Sequence, residues 1–209
     1  MTKSDHRPWR RAACPRVRVS PNATRRGVAT LWVILALPVV LCLLALIVET
    51  GGLLLARMQL LHALEAAALA GVDAWGDQVN APGGSNSTMT RNAARARAVE
   101  LFQANTIAGQ SWLGVLQSNG DALESDNQTC TGSVVILGEV TGMDAYTFTA
   151  GTVVNDDYGV RTQATLSVNS VLANLMGITL GPFSIQGEAT ARYNGGQPQL
   201  IRVTTFICP

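Results

Sequence analysis

Hydrophobic positions run unbroken along one stretch of this chain and alternate along others, and the change of period organises it. "RRGVATLWVILALPVVLCLLALIVETGG", residues 25–52, opens with two arginines and a glycine. It then carries twenty-one residues, Val28 to Val48, without a charge before Glu49. At about 1.5 Å per helical residue this run reaches about 31 Å, the thickness of a bilayer's hydrocarbon core. Pro38 in its middle is tolerated in a membrane helix, where neighbouring groups re-satisfy the freed carbonyl. The next stretch, "LLLARMQLLHALEAAALAGVDAW" (53–75), places Leu61, Leu64, Ala68, Val72 and Trp75 at spacings of 3, 4, 4 and 3. That is one apolar stripe of an amphipathic helix, with His62, Glu65 and Asp73 off it. Gly51 and Gly52 weaken the junction without breaking it, so one helix of about fifty residues is expected.

"NAPGGSNST" (80–88) is a linker by composition. Thr90 then offers an N-cap for a second helix, Arg91 to Ile107. Ala94, Ala98, Leu101, Phe102 and Asn105 lie on one side of it, and Gly109 is its stop. Arg91, Arg95 and Arg97 make the outer face of that helix basic, and solvated. Beyond a polar stretch (117–129) the period changes to two. "SVVILGEV" (133–140) and "YTFTAGTVV" (146–154) read as strands, and "NDDYG" (155–159) as a turn. In "VRTQATLSV" (160–168), Val160, Thr162, Ala164, Leu166 and Val168 face one way, and Arg161, Gln163, Thr165 and Ser167 the other. "NSVLANLMG" (169–177) predicts a short helix capped by Asn169 or Ser170 and ended by Gly177. "PFSIQGEATARY" (182–193) alternates again, and "QLIRVTTFIC" (199–208) closes the sheet as one strand. Helices first and strands afterwards define an α+β class.

Charge adds an orientation. Residues 1–27 carry eight basic side chains against Asp5, whereas from residue 58 onward six arginines face twelve acids. A basic head before an apolar run and an acidic remainder after it predict an N-terminus held in the cytoplasm and an exported C-terminal part. The same position beside an anchor favours orientation over nucleic-acid binding as the role of the basic head. A cleaved signal peptide would have an apolar region of about 7–15 residues and a small-x-small exit. "IVETGG" offers none, and neither Cys14 nor Cys42 stands where a lipoprotein cysteine would. The expected divisions are a basic tail (1–27), a transmembrane helix with its amphipathic extension (28–80), and an exported domain (81–209). On that topology Cys14 is cytoplasmic and Cys42 lies in lipid. Cys130 and Cys208 share the exported side, where disulfides persist, and are the candidate pair.

Two blocks resemble the TadE/TadG-like proteins of bacterial tight-adherence (Flp) pilus systems. Residues 25–75 resemble that family's Arg-Arg-Gly opening, apolar run with central proline, acid-then-glycine exit and "AALAG" helix. "YGVRTQATLSVNSVLANLMGITLGPFSIQGEATARY" (158–193) resembles its strand, short helix and strand ending in small residues. Together they cover about two fifths of the chain. The resemblance implies a long N-terminal transmembrane helix continuing into a pilin-like domain with an antiparallel or mixed β-sheet and short helices. It also implies other pilus-assembly proteins or pilin-like subunits as partners, with the bilayer, in the cytoplasmic membrane. Gly27 followed by Val28 resembles a prepilin-peptidase junction. The fifth residue after Gly27 is Trp32, where processed pilins carry glutamate, so the uncleaved state is expected. The metal motif of larger TadG relatives has no counterpart in "DALESD" (121–126).

No catalytic signature stands beside these features. The chain has two histidines, His6 and His62, and lacks G-x-S-x-G, G-x-x-x-x-G-K and H-E-x-x-H. Asp156 and Asp157 sit in a turn by residue type. No catalytic residue, cofactor or metal site is expected. Glu49 at the bilayer edge is either a solvated residue or one half of an ion pair in trans. The expected role is non-enzymatic assembly, with Leu61, Leu64, Ala68, Val72 and Trp75 packing against other helices. The alternative is a membrane-anchored periplasmic hydrolase or ligand-binding module, which a cleft of converging titratable groups would favour.

Overall fold

The computed structural model describes residues 22–112, 114–118, 130, 132–142, 145–151, 153, 157–170 and 182–208. Its elements run α1 (Asn22–Asn80), α2 (Thr88–Gln103), β1 (Thr106–Ile107), β2 (Gln110–Ser111) and β3 (Gln117–Ser118). They continue as β4 (Val134–Thr141), β5 (Tyr146–Ala150), β6 (Tyr158–Val168), β7 (Phe183–Asn194), β8 (Gln197–Ile201) and β9 (Val203–Ile207). The class is α+β. Contacts divide the chain into two units, Met1–Leu44 and Ala45–Pro209.

In the first unit every described side chain from Ala29 to Leu44 is exposed. The large ones, from Leu31 to Leu44, are 50–68% exposed. Backbone hydrogen bonds hold this helix, and among the described residues no side-chain core supports it. α1 is long and apolar enough to cross a membrane, with a mean hydropathy of 3.1 in its most apolar window.

In the second unit α1 buries a face and the sheet supplies the opposing surface. Ala56, Leu60, Ala63, Leu64, Ala67, Ala68, Val72 and Trp75 are buried at the i, i+4, i+7 spacing of one helical stripe. They meet Val160, Ala164 and Leu166 of β6, Ile185, Ala189 and Ala191 of β7, and Ala94, Ala98 and Phe102 of α2. Small residues set the closeness of this packing. A Cβ at Gly71 would lie 3.1 Å from Ala98 Cβ, 3.2 Å from Val160 Cγ1 and 3.3 Å from Ala94 O. α1, α2 and β6 therefore converge on a position that only glycine fills without displacement. Trp75 stacks obliquely on Tyr158 at 5.0 Å, and its Nε1–H donates to Asn86 Oδ1 at 3.1 Å. Thr162, buried in the same layer, donates its hydroxyl to the Leu64 carbonyl at 2.9 Å.

The main sheet runs β8-β7-β6-β4-β5-β9, with β3 pairing parallel to the start of β4. β9 pairs parallel to β5, and the remaining ladders are antiparallel. The outer strands of a flat six-stranded sheet would stand about 24 Å apart. Yet only Arg202 separates β8 from β9, a span of at most about 7 Å. The sheet is therefore rolled until its edges meet. Rolling gives it two faces with two cores. The outer face carries the helices. The inner face encloses Val134, Ile136, Val140, Phe148 and Ala150, with Tyr146, Ile201, Val203 and Phe206 against them.

Several sequence expectations change. Ser87, not Thr90, caps α2: its Oγ accepts from Thr90 N–H, while Thr90 donates its hydroxyl to the Ser85 carbonyl. α2 stops at Gln103 rather than Ile107. Thr106–Ile107 pairs with Gln110–Ser111 in a hairpin, and Gly109 is its turn residue with Ala108, both at positive φ. Arg95 is buried rather than part of a solvated basic face. Residues 199–208 form parts of two strands, because each half pairs with a different neighbour. β5 ends at Ala150, before Gly151 at positive φ. Tyr158 and Gly159 open β6 instead of completing a turn. The expected short helix (169–177) beyond Ser170, most of the polar stretch 117–129 and residues 1–21 of the basic tail lie outside the described residues, and α1 already begins at Asn22.

Packing of this kind sets the cost of substitution. Trp75→Ala is expected to lower unfolding free energy by about 3–5 kcal/mol. Ala68→Glu, which places an unpaired carboxylate in the same layer, is expected to prevent stable folding of the second unit. Denaturant titration of the detergent-solubilised chain, followed by circular dichroism, measures both.

Candidate functional site

The apolar stretch of α1 is the most conspicuous functional surface. In the second unit the uncovered apolar residues Leu46, Ile47 and Val48 are followed by Leu54, Leu55 and Met58, each more than half exposed. Thr50 donates its hydroxyl back to the carbonyls of Leu46 and Ile47, at 2.9 and 3.1 Å, so this polar group is satisfied inside the helix. Contiguous apolar surface of this extent marks a membrane or a partner protein.

Glu49 is half-buried and lines a cavity of about 240 Å³ with Gly52, Leu53, Ala56 and Gln59 of α1, the hairpin tip Ala108–Gly109, and Val168–Asn169. Ala108 N–H donates to Gln59 Oε1 at 2.8 Å, which ties the β1–β2 hairpin to the helix. The stripe expected to pack against other helices lies elsewhere. Leu64, Ala68, Val72 and Trp75 are fully buried in the chain's own core, and Leu61 flanks it, half-buried over Gly187. An amphipathic stripe needs a cover, and here the sheet and α2 provide it. His62 is exposed on the opposite face.

The inner face of the rolled sheet holds groups that the sequence did not single out. Arg161 is buried, pairs with Glu188 of β7, and stacks its guanidinium over the Phe206 ring at 4.4 Å. Burial holds that guanidinium below the ordinary arginine value, and the charge of Glu188 opposes the shift. A desolvated cation–π contact contributes roughly 2 kcal/mol. Arg192 makes a second one over Tyr146 at 4.9 Å. The alternation of residues 160–168 had placed Arg161, Gln163 and Thr165 on the face away from the apolar one. Rolling turns Arg161 of that face inward, while Thr165 stays exposed. Cys130 and Cys208 form a disulfide with Cα atoms 6.2 Å apart. The Cys130 carbonyl also accepts from Gln163 Nε2 at 2.7 Å. Tyr193 donates its hydroxyl to Asp77 Oδ1 at 3.1 Å, and its ring lies where a Cβ at Gly76 would go. Among the described residues no three His, Cys, Asp or Glu side chains are placed to hold one metal ion.

Residues 27–74 match the family model of putative Flp pilus-assembly TadE/G-like proteins. The match covers the apolar stretch and most of the buried stripe, including Ala67, Ala68 and Gly71. No curated protein and no solved structure matches the chain.

Two solution measurements follow from this geometry. Opening the Cys130–Cys208 loop, whose ends are 78 residues apart, by a double serine variant is expected to cost up to about 4–5 kcal/mol on chain-entropy reasoning. The shift of the denaturation midpoint reports it. Tyr193 has its ionisation raised, first by burial and then by the hydrogen bond and charge of Asp77. A raised value means that its stabilising contribution is full below about pH 10, the unfolded tyrosine value, and is lost as pH climbs through the folded one. Ultraviolet titration is expected to show a late-ionising component of the native chain that is lost in Tyr193→Phe.

Proposed function

We propose that this protein is a membrane-anchored, non-enzymatic component of tight-adherence (Flp) pilus assembly. The observation that carries the reading is the coincidence of the family match with an apolar helix that the chain itself leaves uncovered. A helix exposing leucine, isoleucine and valine on all sides needs a non-aqueous surrounding, and a bilayer satisfies that need along its whole length. In this reading residues 1–27 remain in the cytoplasm and residues 81–209 are exported, following the charge asymmetry.

Assembly then proceeds through lateral contact between α1 and pilin-like helices of neighbouring proteins. The surface available for that contact is the exposed one, Leu54, Leu55 and Met58 with the apolar stretch before them, because the stripe at 60–75 is already engaged. The rolled sheet holds the helix extension rigid and presents its own surface on the exported side.

Deleting the gene and imaging surface pili tests the role, with the full chain restoring them. Complementation with Leu55→Glu is expected to leave the protein folded, membrane-bound and at normal level while reducing piliation at least about tenfold, since a charge on an apolar helix contact opposes association. His62→Ala, on an exposed polar face, is expected to support normal piliation. Normal pili in the deletion strain would end the assembly reading, and loss of pili in His62→Ala alone would point to titratable chemistry instead. A reporter fused after Pro209 is expected to be active only when exported.

A further inference from the structure

Strand β6 descends along α1 toward the end of the apolar stretch, and its contacts fix how far it reaches. Tyr158 stacks on Trp75, Thr162 bonds to the Leu64 carbonyl, and Val168 lines a cavity with Glu49 and Gly52. From Thr162 to Val168 is six residues of strand, about 20 Å, which equals about thirteen residues of helix. Counted back from Leu64, that distance sets Val168 at the level of Gly51. Phe183, which opens β7, is the register partner of Val168. The exposed apolar residues Leu46, Ile47 and Val48 stop only about 5 Å short of this level.

This end of the sheet is also uncharged. From Thr162 to Gly187 twenty-six residues carry no charge, the longest such run beyond Glu49. Arg161 and Glu188 bound the run and pair with each other. Phe183, Leu200 and Ile207 are the three large apolar side chains exposed on the described strands, and Phe183 is 38% exposed. Asn169, Pro182 and Ser184 beside it are exposed and uncharged.

We propose that this end of the domain, Val168–Asn169 with Pro182–Ser184, is a second membrane contact, seated in the lipid headgroup layer with Phe183 as its apolar anchor. The inference rests on the bilayer reading of α1. Headgroups add about 5–7 Å outside each face of the hydrocarbon core, so a surface about 5 Å beyond Val48 lies among them. An aromatic ring among uncharged polar groups suits that layer, which is apolar on one side and wet on the other. Continuity selects lipid over a partner protein. Lipid already surrounds Leu46–Val48 in this reading, and a protein covering Phe183 would have to displace the headgroups packed against that helix. A single helix leaves the domain free to tilt on the membrane. A second contact holds it, and so holds Leu54, Leu55 and Met58 in one orientation toward neighbouring proteins.

Spin-label depth measurements on the full chain in phosphatidylcholine vesicles test this without reference to pili. A nitroxide is carried in turn by native Cys42, by Phe183→Cys and by Leu200→Cys. Cys14→Ser is present throughout, Cys42→Ser in the last two, and no reductant is used. Leu200 lies opposite Ala191, and Ala191 opposite Val160 beside Gly71, which puts Leu200 about 30 Å beyond Gly51 as the reference in water. Oxygen enters lipid and a water-soluble nickel chelate does not, so the two relaxants report depth. The chelate is expected to reach the label at 183 at least about threefold less than the label at 200, and oxygen to reach it at least as well. Asn169→Cys is expected to give the same order and keeps the phenylalanine in place. A Cys42 label open to the chelate would overturn the bilayer reading and the proposal with it. With Cys42 protected, labels at 183 and 169 as open to the chelate as the one at 200 would overturn the proposal alone. So would labels closed to both oxygen and chelate, which mark a protein cover.

Discussion

The close packing of one helical face against a sheet governs this molecule. From Ala56 to Trp75, α1 presents alanine, glycine and leucine at helical spacing to β6, β7 and α2, and the apolar sides of these elements share one core. Gly71 and Gly187 mark where the backbones approach too closely for a side chain. Because burial of apolar surface is the main favourable term in folding, this contact decides which part of α1 belongs to the domain and which part is left exposed. The uncovered stretch before it is the remainder of that division.

On its other face the sheet solves a different problem. Strands 8 and 9 are one extended run divided by Arg202, and the division rolls the sheet around a small second core of valine, isoleucine and phenylalanine. That core admits Arg161, whose charge is met by Glu188 and whose flat face is met by Phe206. The Cys130–Cys208 bridge joins the segment before β4 to the residue after β9, so the roll is tied covalently at one end. A domain of this size with thin cores gains proportionately from such a tie, since the loop closed is long.

These features divide the work between surfaces. The helix that crosses from the apolar stretch into the domain is engaged on one side by the sheet, which leaves its opposite side and its apolar stretch as contacts for the outside. Leu54, Leu55 and Met58 carry that exposure on beyond Glu49. The family match falls on this helix, and its small residues have a structural reason within the chain itself. Domain packing and the exposed apolar surface therefore lie on different faces of one helix.

Much of this architecture was legible in residue order alone. The uncharged run from Val28 to Val48, the i, i+4 recurrence through Val72 and Trp75, and the period-two alternation of 160–168 and 182–193 each express a local periodicity, and periodicity is a property of the chain. The pairing of Cys130 with Cys208 was also anticipated, from the charge asymmetry that sets both cysteines on one side of the apolar run. What the stripe packs against was not readable, because an apolar face carries no label for cis or trans cover; only the position of β6, β7 and α2 decided that Ala68 is core. Nor was Arg95 or Arg161 readable as buried, since a charge reads as solvated until a tertiary partner or a rolled sheet surrounds it. The split of residues 199–208 into two strands depended on which neighbours each half met. Sequence determined the elements and their apolar faces through local spacing, and tertiary structure decided their partners, because pairing joins residues that the chain holds far apart.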